Sequence, residues 1–138
     1  MLDFKNDELS LMNSFQSVAG VQAVDVLNEE QRLVFVVEKG ALGKALGREA
    51  GNLERLRKAF GKNVEVVEGA GDWQGFLQNL FRGISFEKVD FSEDGKKRLH
   101  LTVVPDQKAR AIGRGGEKIN RARALLKRHY GFEEVRIL

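Results

Sequence analysis

Arg98–Ile119, "RLHLTVVPDQKARAIGRGGEKI", repeats Arg32–Leu53, "RLVFVVEKGALGKALGREAGNL", without a gap and at a constant offset of 66 residues, from Arg32 to Arg98 and from Gly47 to Gly113. The offset pairs Leu33 with Leu99, Phe35 with Leu101, Val37 with Val103, Ala45 with Ala111, Leu46 with Ile112 and Arg48 with Arg114. It runs on through Leu53/Ile119, Leu56/Ala122, Ala59/Leu125 and Phe60/Leu126, which recur at the three- and four-residue spacings of a helix's buried face. Self-similarity at a fixed period marks a duplicated structural unit. Two copies of one small domain are therefore expected, residues 1–69 and 70–138.

Each copy carries the same order of elements. An amphipathic helix opens it, at about 8–17 and about 73–81, with Asp7 or Asp72 placed to cap the first turn. Two hairpin strands follow, 23–27 with 32–38 and 86–91 with 98–104, joined by the turns Asn28-Glu29-Glu30 and Ser92-Glu93-Asp94-Gly95. The alternation of Leu33, Phe35 and Val37, and of Leu99, Leu101 and Val103, turns one face of each sheet inward. A short helix (41–46; 107–112), the glycine segment, a longer helix (52–60; 117–129) and a last strand (64–68; 134–138) complete the order αββααβ. The expected class is α+β, each copy a three-stranded sheet packed against helices on one face. Only Gly69-Ala70-Gly71 connects the copies, a reach of about 10 Å at most. Close tethering and a shared interface are expected.

Composition narrows the chemistry. With 42% hydrophobic and 31% charged residues the chain should fold, and no apolar run approaches a membrane span or a signal peptide, which points to the cytoplasm and away from membranes. There is no cysteine, and His100 and His129 would need two carboxylates to hold zinc, so no metal or cofactor is expected. No carboxylate pair, nucleophile with base, or metal cluster recurs at a meaningful spacing, so no catalytic residues are assigned and an enzyme is not expected. The charge is unevenly spread. Residues 1–70 hold 9 Lys/Arg against 11 Asp/Glu, and residues 71–138 hold 14 against 9. Lys108, Arg110, Arg114, Lys118, Arg121, Arg123, Lys127 and Arg128 crowd into 105–130 against Asp106 and Glu117 alone, a field that attracts polyanions.

Gly113-Arg114-Gly115-Gly116 sits between two expected helices inside that basic stretch. It fails as a dinucleotide fingerprint, because Lys118 stands at the third glycine position and about eight residues separate the segment from the preceding strand. It fails as a P-loop, because no Gly-x-x-x-x-Gly-Lys-Ser/Thr run exists. A Gly-x-x-Gly loop joining two helices remains, the arrangement that clamps a single-stranded nucleic-acid backbone. Amides at the start of the second helix, and its positive dipole end, would face a phosphate, while glycines clear the way for close approach. Arg114 and Lys118 add charge, Arg110 flanks the strand, and Ile112 and Ile119 would form an apolar floor for bases. Four residues alone are a weak signal: Gly40-Ala41-Leu42-Gly43 matches too.

The αββααβ order with Ile-Gly-x-x-Gly between the central helices resembles the type II K-homology (KH) domain. The tandem pair, with "VEVVE" (Val64 to Glu68) closing the first copy and "NLF" (Asn79 to Phe81) in the opening helix of the second, resembles the archaeal NusA-like transcription termination/antitermination factors over nearly the whole chain. The resemblance implies two KH domains binding single-stranded RNA, with nascent transcripts as targets and RNA polymerase as a further partner. The sequence does not fix the oligomeric state, and a monomer is the favoured expectation. The RNA contacts it implies are Arg110, Ile112, Gly113, Arg114, Gly115, Gly116, Lys118, Ile119 and Arg121.

The first copy departs from the pattern. Gly47-Arg48-Glu49-Ala50 ends in alanine, with Gly51 following at once, and puts Glu49 where a phosphate should pass. A carboxylate there repels the backbone by roughly 1 kcal/mol at 4 Å even in bulk water. Lys44, Leu46, Gly47, Arg48 and Gly51 are accordingly expected to form a weaker site. Among the remaining residues, Lys127 and Arg128 are expected to compensate a helix C-terminus, Arg123 to be solvated surface, Trp73 and Phe76 to be core, and His100 to lie on the sheet surface. A ribosome-associated or ribosome-assembly KH protein with rRNA as its target, and more remotely a protein-binding scaffold, are the alternatives of different class.

Overall fold

Each sheet is built around a central strand that carries the apolar alternation. In the computed structural model, which describes residues 2–138, β2 (Arg32–Val37) lies between β1 (Ala23–Asn28) and β3 (Asn63–Glu68), antiparallel to β1 and parallel to β3. The same arrangement recurs with β5 (Arg98–Val103) between β4 (Phe86–Ser92) and β6 (Glu134–Ile137). Short turns allow the antiparallel pairs. The parallel pairs need a crossover, which here is helical.

In the first copy α1 (Asn6–Ala19) precedes the hairpin, and α2 (Leu42–Leu46) and α3 (Gly51–Phe60) form the crossover. In the second, α4 (Trp73–Leu80) precedes it, and α5 (Lys108–Ile112) and α6 (Glu117–Tyr130) form the crossover. The chain divides into two compact units, one ending at Asp72 and the other spanning Trp73–Leu138. Asp7 is not the cap of α1. The helix starts at Asn6, two residues earlier than expected, and the Glu8 carboxylate accepts from the Lys5 backbone N–H at 2.9 Å, which places Asp7 inside the first turn. Asp72 does stand directly before α4.

The first core gathers Leu33, Phe35 and Val37 from β2 with Phe15, Leu56 and Val64. Phe15 stacks on Phe35 at 4.4 Å between ring centroids, and burying each such side chain stabilises the fold by about 1.5–3 kcal/mol. In the second unit Leu99, Leu101, Val103, Ala122, Leu125, Leu126 and Phe76 are buried, as the periodicity predicts. Trp73 is half-buried and stacks on Phe91 at 5.3 Å.

Two expectations fail. β2 is buried on both faces, because Val34 and Val36 are as inaccessible as Leu33 and Phe35, whereas His100 and Thr102 at the same places in β5 remain partly exposed. The unbroken apolar run Leu33-Val34-Phe35-Val36-Val37 suits a strand covered on both sides. Ala59 is exposed although its counterpart Leu125 is fully buried. α3 has 10 residues against 14 in α6, and it stops at Phe60 with Gly61 in the left-handed region, so Ala59 falls in a terminal turn.

That length difference has a consequence for equivalence. Arg32 pairs with Asn63 and Arg98 with Glu134, so the last strands correspond at an offset of 71 residues rather than 66. Val64 is thus the counterpart of Val135, and Glu65 of Arg136.

Candidate nucleic-acid interface

The two glycine segments adopt one backbone conformation. Gly113 has φ 81° and ψ 169°, and Gly47 has φ 73° and ψ −177°, a region open to glycine and essentially to nothing else. Next but one, Gly115 (φ 63°, ψ 17°) and Gly116 (φ 78°, ψ 11°) are left-handed, and so are Glu49 (φ 53°, ψ 34°) and Ala50 (φ 56°, ψ 28°). The hydrogen bonds agree as well. Gly113 N–H donates to the Ala109 carbonyl at 3.0 Å and Gly116 N–H to Gly113 at 3.1 Å, as Gly47 does to Gly43 at 3.1 Å and Ala50 to Gly47 at 3.2 Å.

The first glycine of each loop is required by packing. A Cβ on Gly113 would lie 2.8 Å from Lys118 Cβ and 2.9 Å from the Lys118 backbone nitrogen. On Gly47 it would meet the Asn52 amide group, at 2.8 Å from Nδ2, a side-chain atom that itself donates to the Ala45 carbonyl at 3.2 Å. Gly115, by contrast, has open space where its Cβ would be. The second and third glycines therefore serve conformation and approach rather than packing.

Ala111 and Ala45 are completely buried and anchor α5 and α2 beside their loops. From that anchor the second copy presents Arg110, Arg114 and Gly115 as exposed residues, with Ile112, Gly113, Gly116 and Lys118 half-buried. Arg110 Nη2 donates to the Gly83 carbonyl at 2.9 Å, which holds the guanidinium against the segment after α4. Two residues expected to contact RNA lie away from the surface. Ile119 is only 5% exposed and Arg121 only 6%, because both belong to the inward side of α6. Ile119 is core rather than a floor for bases, and Arg121 is not a surface cation. In the first copy Lys44, Arg48 and Glu49 are exposed, and Leu46, Gly47 and Gly51 are half-buried.

Sequence reasoning missed the pairing of α6 with β6. Arg123, expected to be merely solvated, donates through Nε to the Val135 carbonyl at 2.8 Å and through Nη1 to Asn120 Oδ1 at 3.0 Å. A cleft of about 400 Å³ opens beside it, with Arg123 and Lys127 on one wall and Glu134 and Arg136 on the other. The charge there differs from the first copy. Glu65 is bridged to Arg32 at 2.8 Å, whereas its counterpart Arg136 adds to Arg98. His100 is on the sheet surface as expected but is paired, its Nε2 lying 2.6 Å from Glu134 Oε2. That hydrogen bond holds the Glu134 carboxyl below the ordinary carboxylate range; partial burial opposes the shift, and the Arg136 and Arg98 charges assist it. No sequence signal links residues 34 apart on two strands.

Among the described residues no helix is long and apolar enough to cross a membrane, and no group of three or more His, Asp or Glu side chains is placed to hold a metal ion.

No protein-family model matches the chain. It is 28% identical to a protein of Methanocaldococcus jannaschii called "probable transcription termination protein NusA", over 96% of this chain and 73% of that one. It is 29% identical to the protein of the same name from Halobacterium salinarum, over 92% of this chain and 91% of that one. In structure it matches the crystal structure of APE1850 with a TM-score of 0.84 and 38% identity, covering 98% of this chain and all of that one. By sequence, over nearly its whole length, the chain is a relative of the archaeal proteins named probable transcription termination protein NusA.

Proposed function

We propose that the chain is a pair of type II KH domains that binds single-stranded RNA in transcription termination, antitermination or elongation, through the Gly113–Gly116 loop of the second domain. The observation that carries this reading is the loop itself: three glycines at positive φ, two of them without neighbouring obstruction, at the start of a 14-residue helix and beside Arg110, Arg114 and Lys118. Such a loop admits a phosphodiester to the backbone, where amide dipoles and the helix end favour negative charge. The mixed sheet, with its outer strand parallel to the central one in both copies, supports the type II assignment. The names of the relatives support the role in transcription termination. On this reading the nascent transcript is the ligand, RNA polymerase a partner, the location cytoplasmic and the action binding rather than catalysis. The first loop shares the shape but carries Glu49, so it holds RNA weakly.

The test is the pair Gly115→Asp and Gly116→Asp. Asp tolerates the left-handed region, and neither Cβ meets anything closer than 3.6 Å. The double variant should lose about 2 kcal/mol of stability yet stay folded, checked by its unfolding midpoint, and lose at least about tenfold in affinity for a single-stranded RNA, two charge-assisted contacts' worth. Wild-type affinity should fall with salt at a slope of roughly −0.7 per phosphate neutralised. Salt-independent binding, or undiminished affinity in the variant, would sink the proposal. Co-purification with ribosomal subunits instead of polymerase would move the RNA target to rRNA.

A further inference from the structure

Arg57 and Arg123 are counterparts at the 66-residue offset, and each reaches a helix neighbour three residues back. Arg57 Nη1 lies 3.4 Å from Glu54 Oε1, and Arg123 Nη1 lies 3.0 Å from Asn120 Oδ1. They differ in what else they touch. Arg123 Nε donates to the Val135 carbonyl of β6 at 2.8 Å, whereas the carbonyl of Val64, the counterpart of Val135, accepts from no side chain among the described residues. Both β3 and β6 are outer strands, whose free edge presents backbone groups unpaired by the sheet. The acceptor that stands open on the edge of β3 is therefore taken on the edge of β6 and replaced by a guanidinium.

That guanidinium is oriented and still has donors to give. Of five N–H groups, Nε–H and one on Nη1 are engaged, which leaves three on an exposed side chain that lines the neighbouring cleft. Arg123 lies six residues beyond Glu117, about 9 Å along the helix from the loop. A base next to a phosphate held at Gly113–Gly116 is within its reach. We infer that Arg123 is the specificity-determining residue of the second copy, selecting a base that presents carbonyl oxygen, guanine or uracil, over one that presents an exocyclic amine there. Guanine offers O6 beside N7 and uracil an O4 without an adjacent amine, whereas the N6 amine of adenine or the N4 amine of cytosine sets donor against donor. A mismatch of that kind leaves polar groups unpaired in the cleft. The open carbonyl of Val64 gives the first copy the opposite polarity. The inference rests on the RNA-binding reading above.

The experiment measures affinities of the intact chain for labelled single-stranded oligo-U, oligo-A and oligo-C in wild type, Arg123→Ala and Arg123→Lys. The second copy dominates affinity, so wild type should prefer oligo-U about tenfold, the discrimination of one well-placed arginine contact. Both variants should reduce that preference to within about twofold, with Arg123→Lys keeping most of the affinity for oligo-A and oligo-C because it keeps the charge. Equal losses on all three oligonucleotides in both variants would reduce Arg123 to a plain phosphate contact and overturn the inference, as would an unchanged preference. Wild type that binds none of the three would overturn the RNA-binding reading itself, and this inference with it.

Discussion

The loops Gly47–Ala50 and Gly113–Gly116 follow the same path with different residues. Where the second uses Gly115 and Gly116, the first holds Glu49 and Ala50 in the left-handed region. Side chains with a Cβ adopt that region at roughly 1–2 kcal/mol each. The packing of α2 against α3 imposes the turn, and the residues comply. The shape is thus a property of the duplicated fold, while openness and charge are properties of the second copy alone. On the proposed reading, what separates the stronger RNA loop from the weaker one is side-chain chemistry at two positions, laid on a common backbone.

The largest expected effect comes from the shared first glycine. Gly113→Ala should destabilise by about 3 kcal/mol, since it enters a glycine-only region and meets the Lys118 backbone, measured by urea unfolding. Gly47→Ala should cost less, because it meets the Asn52 side chain rather than backbone, although turning that amide away gives up its hydrogen bond to the Ala45 carbonyl. Equal costs would mean that the two loops are anchored alike after all.

Exchanging the loops themselves comes next. Gly115→Glu with Gly116→Ala should destabilise by about 2 kcal/mol, one left-handed penalty per residue, and weaken single-stranded RNA binding. The reverse, Glu49→Gly with Ala50→Gly, should raise stability by about 1 kcal/mol, strain relief exceeding the added entropy of glycine in the unfolded chain. It should also strengthen RNA binding a few-fold, by removing a carboxylate worth roughly 1 kcal/mol. Were the reverse exchange to lower stability, the positive φ values would not be a strain.

The smallest effect concerns the polar face of β5 and β6, which the first copy lacks. Glu134 has a depressed folded-state pKa, so it favours the folded state above its ordinary unfolded pKa, and that contribution is lost as pH falls through the lowered value. His100→Leu removes the side-chain hydrogen bond that is the largest cause of the shift. The variant should be slightly less stable than wild type at neutral pH, and the two unfolding midpoints should converge in acid. A gap that widens on acidification would have the wrong sign. At the Val34 position in the first copy no such pH term should appear, because the counterparts there are Val34 and Asn63.

The fold was legible because it was written twice. The repeat located every element of both copies within a few residues, and the helix period placed Leu56, Ala122, Leu125 and Leu126 in the core. The same period already put Ile119 on the buried stripe, so reading it also as a floor for bases asked one side chain to face two ways. Arg121 escaped because it lies next to Ala122 and its exposure depends on how α6 is rotated against the sheet. The Arg123 contact was out of reach. It depends on the five-residue difference between α3–β3 and α6–β6, which brings a guanidinium to the Val135 carbonyl in one copy and not in the other.

Amide hydrogen exchange with and without single-stranded RNA tests the asymmetry most directly, since local protection reports where backbone amides become engaged. RNA is expected to slow exchange strongly at Arg114–Lys118 and much less at Arg48–Asn52. Equal protection of both loops, or protection confined to the first, would contradict it.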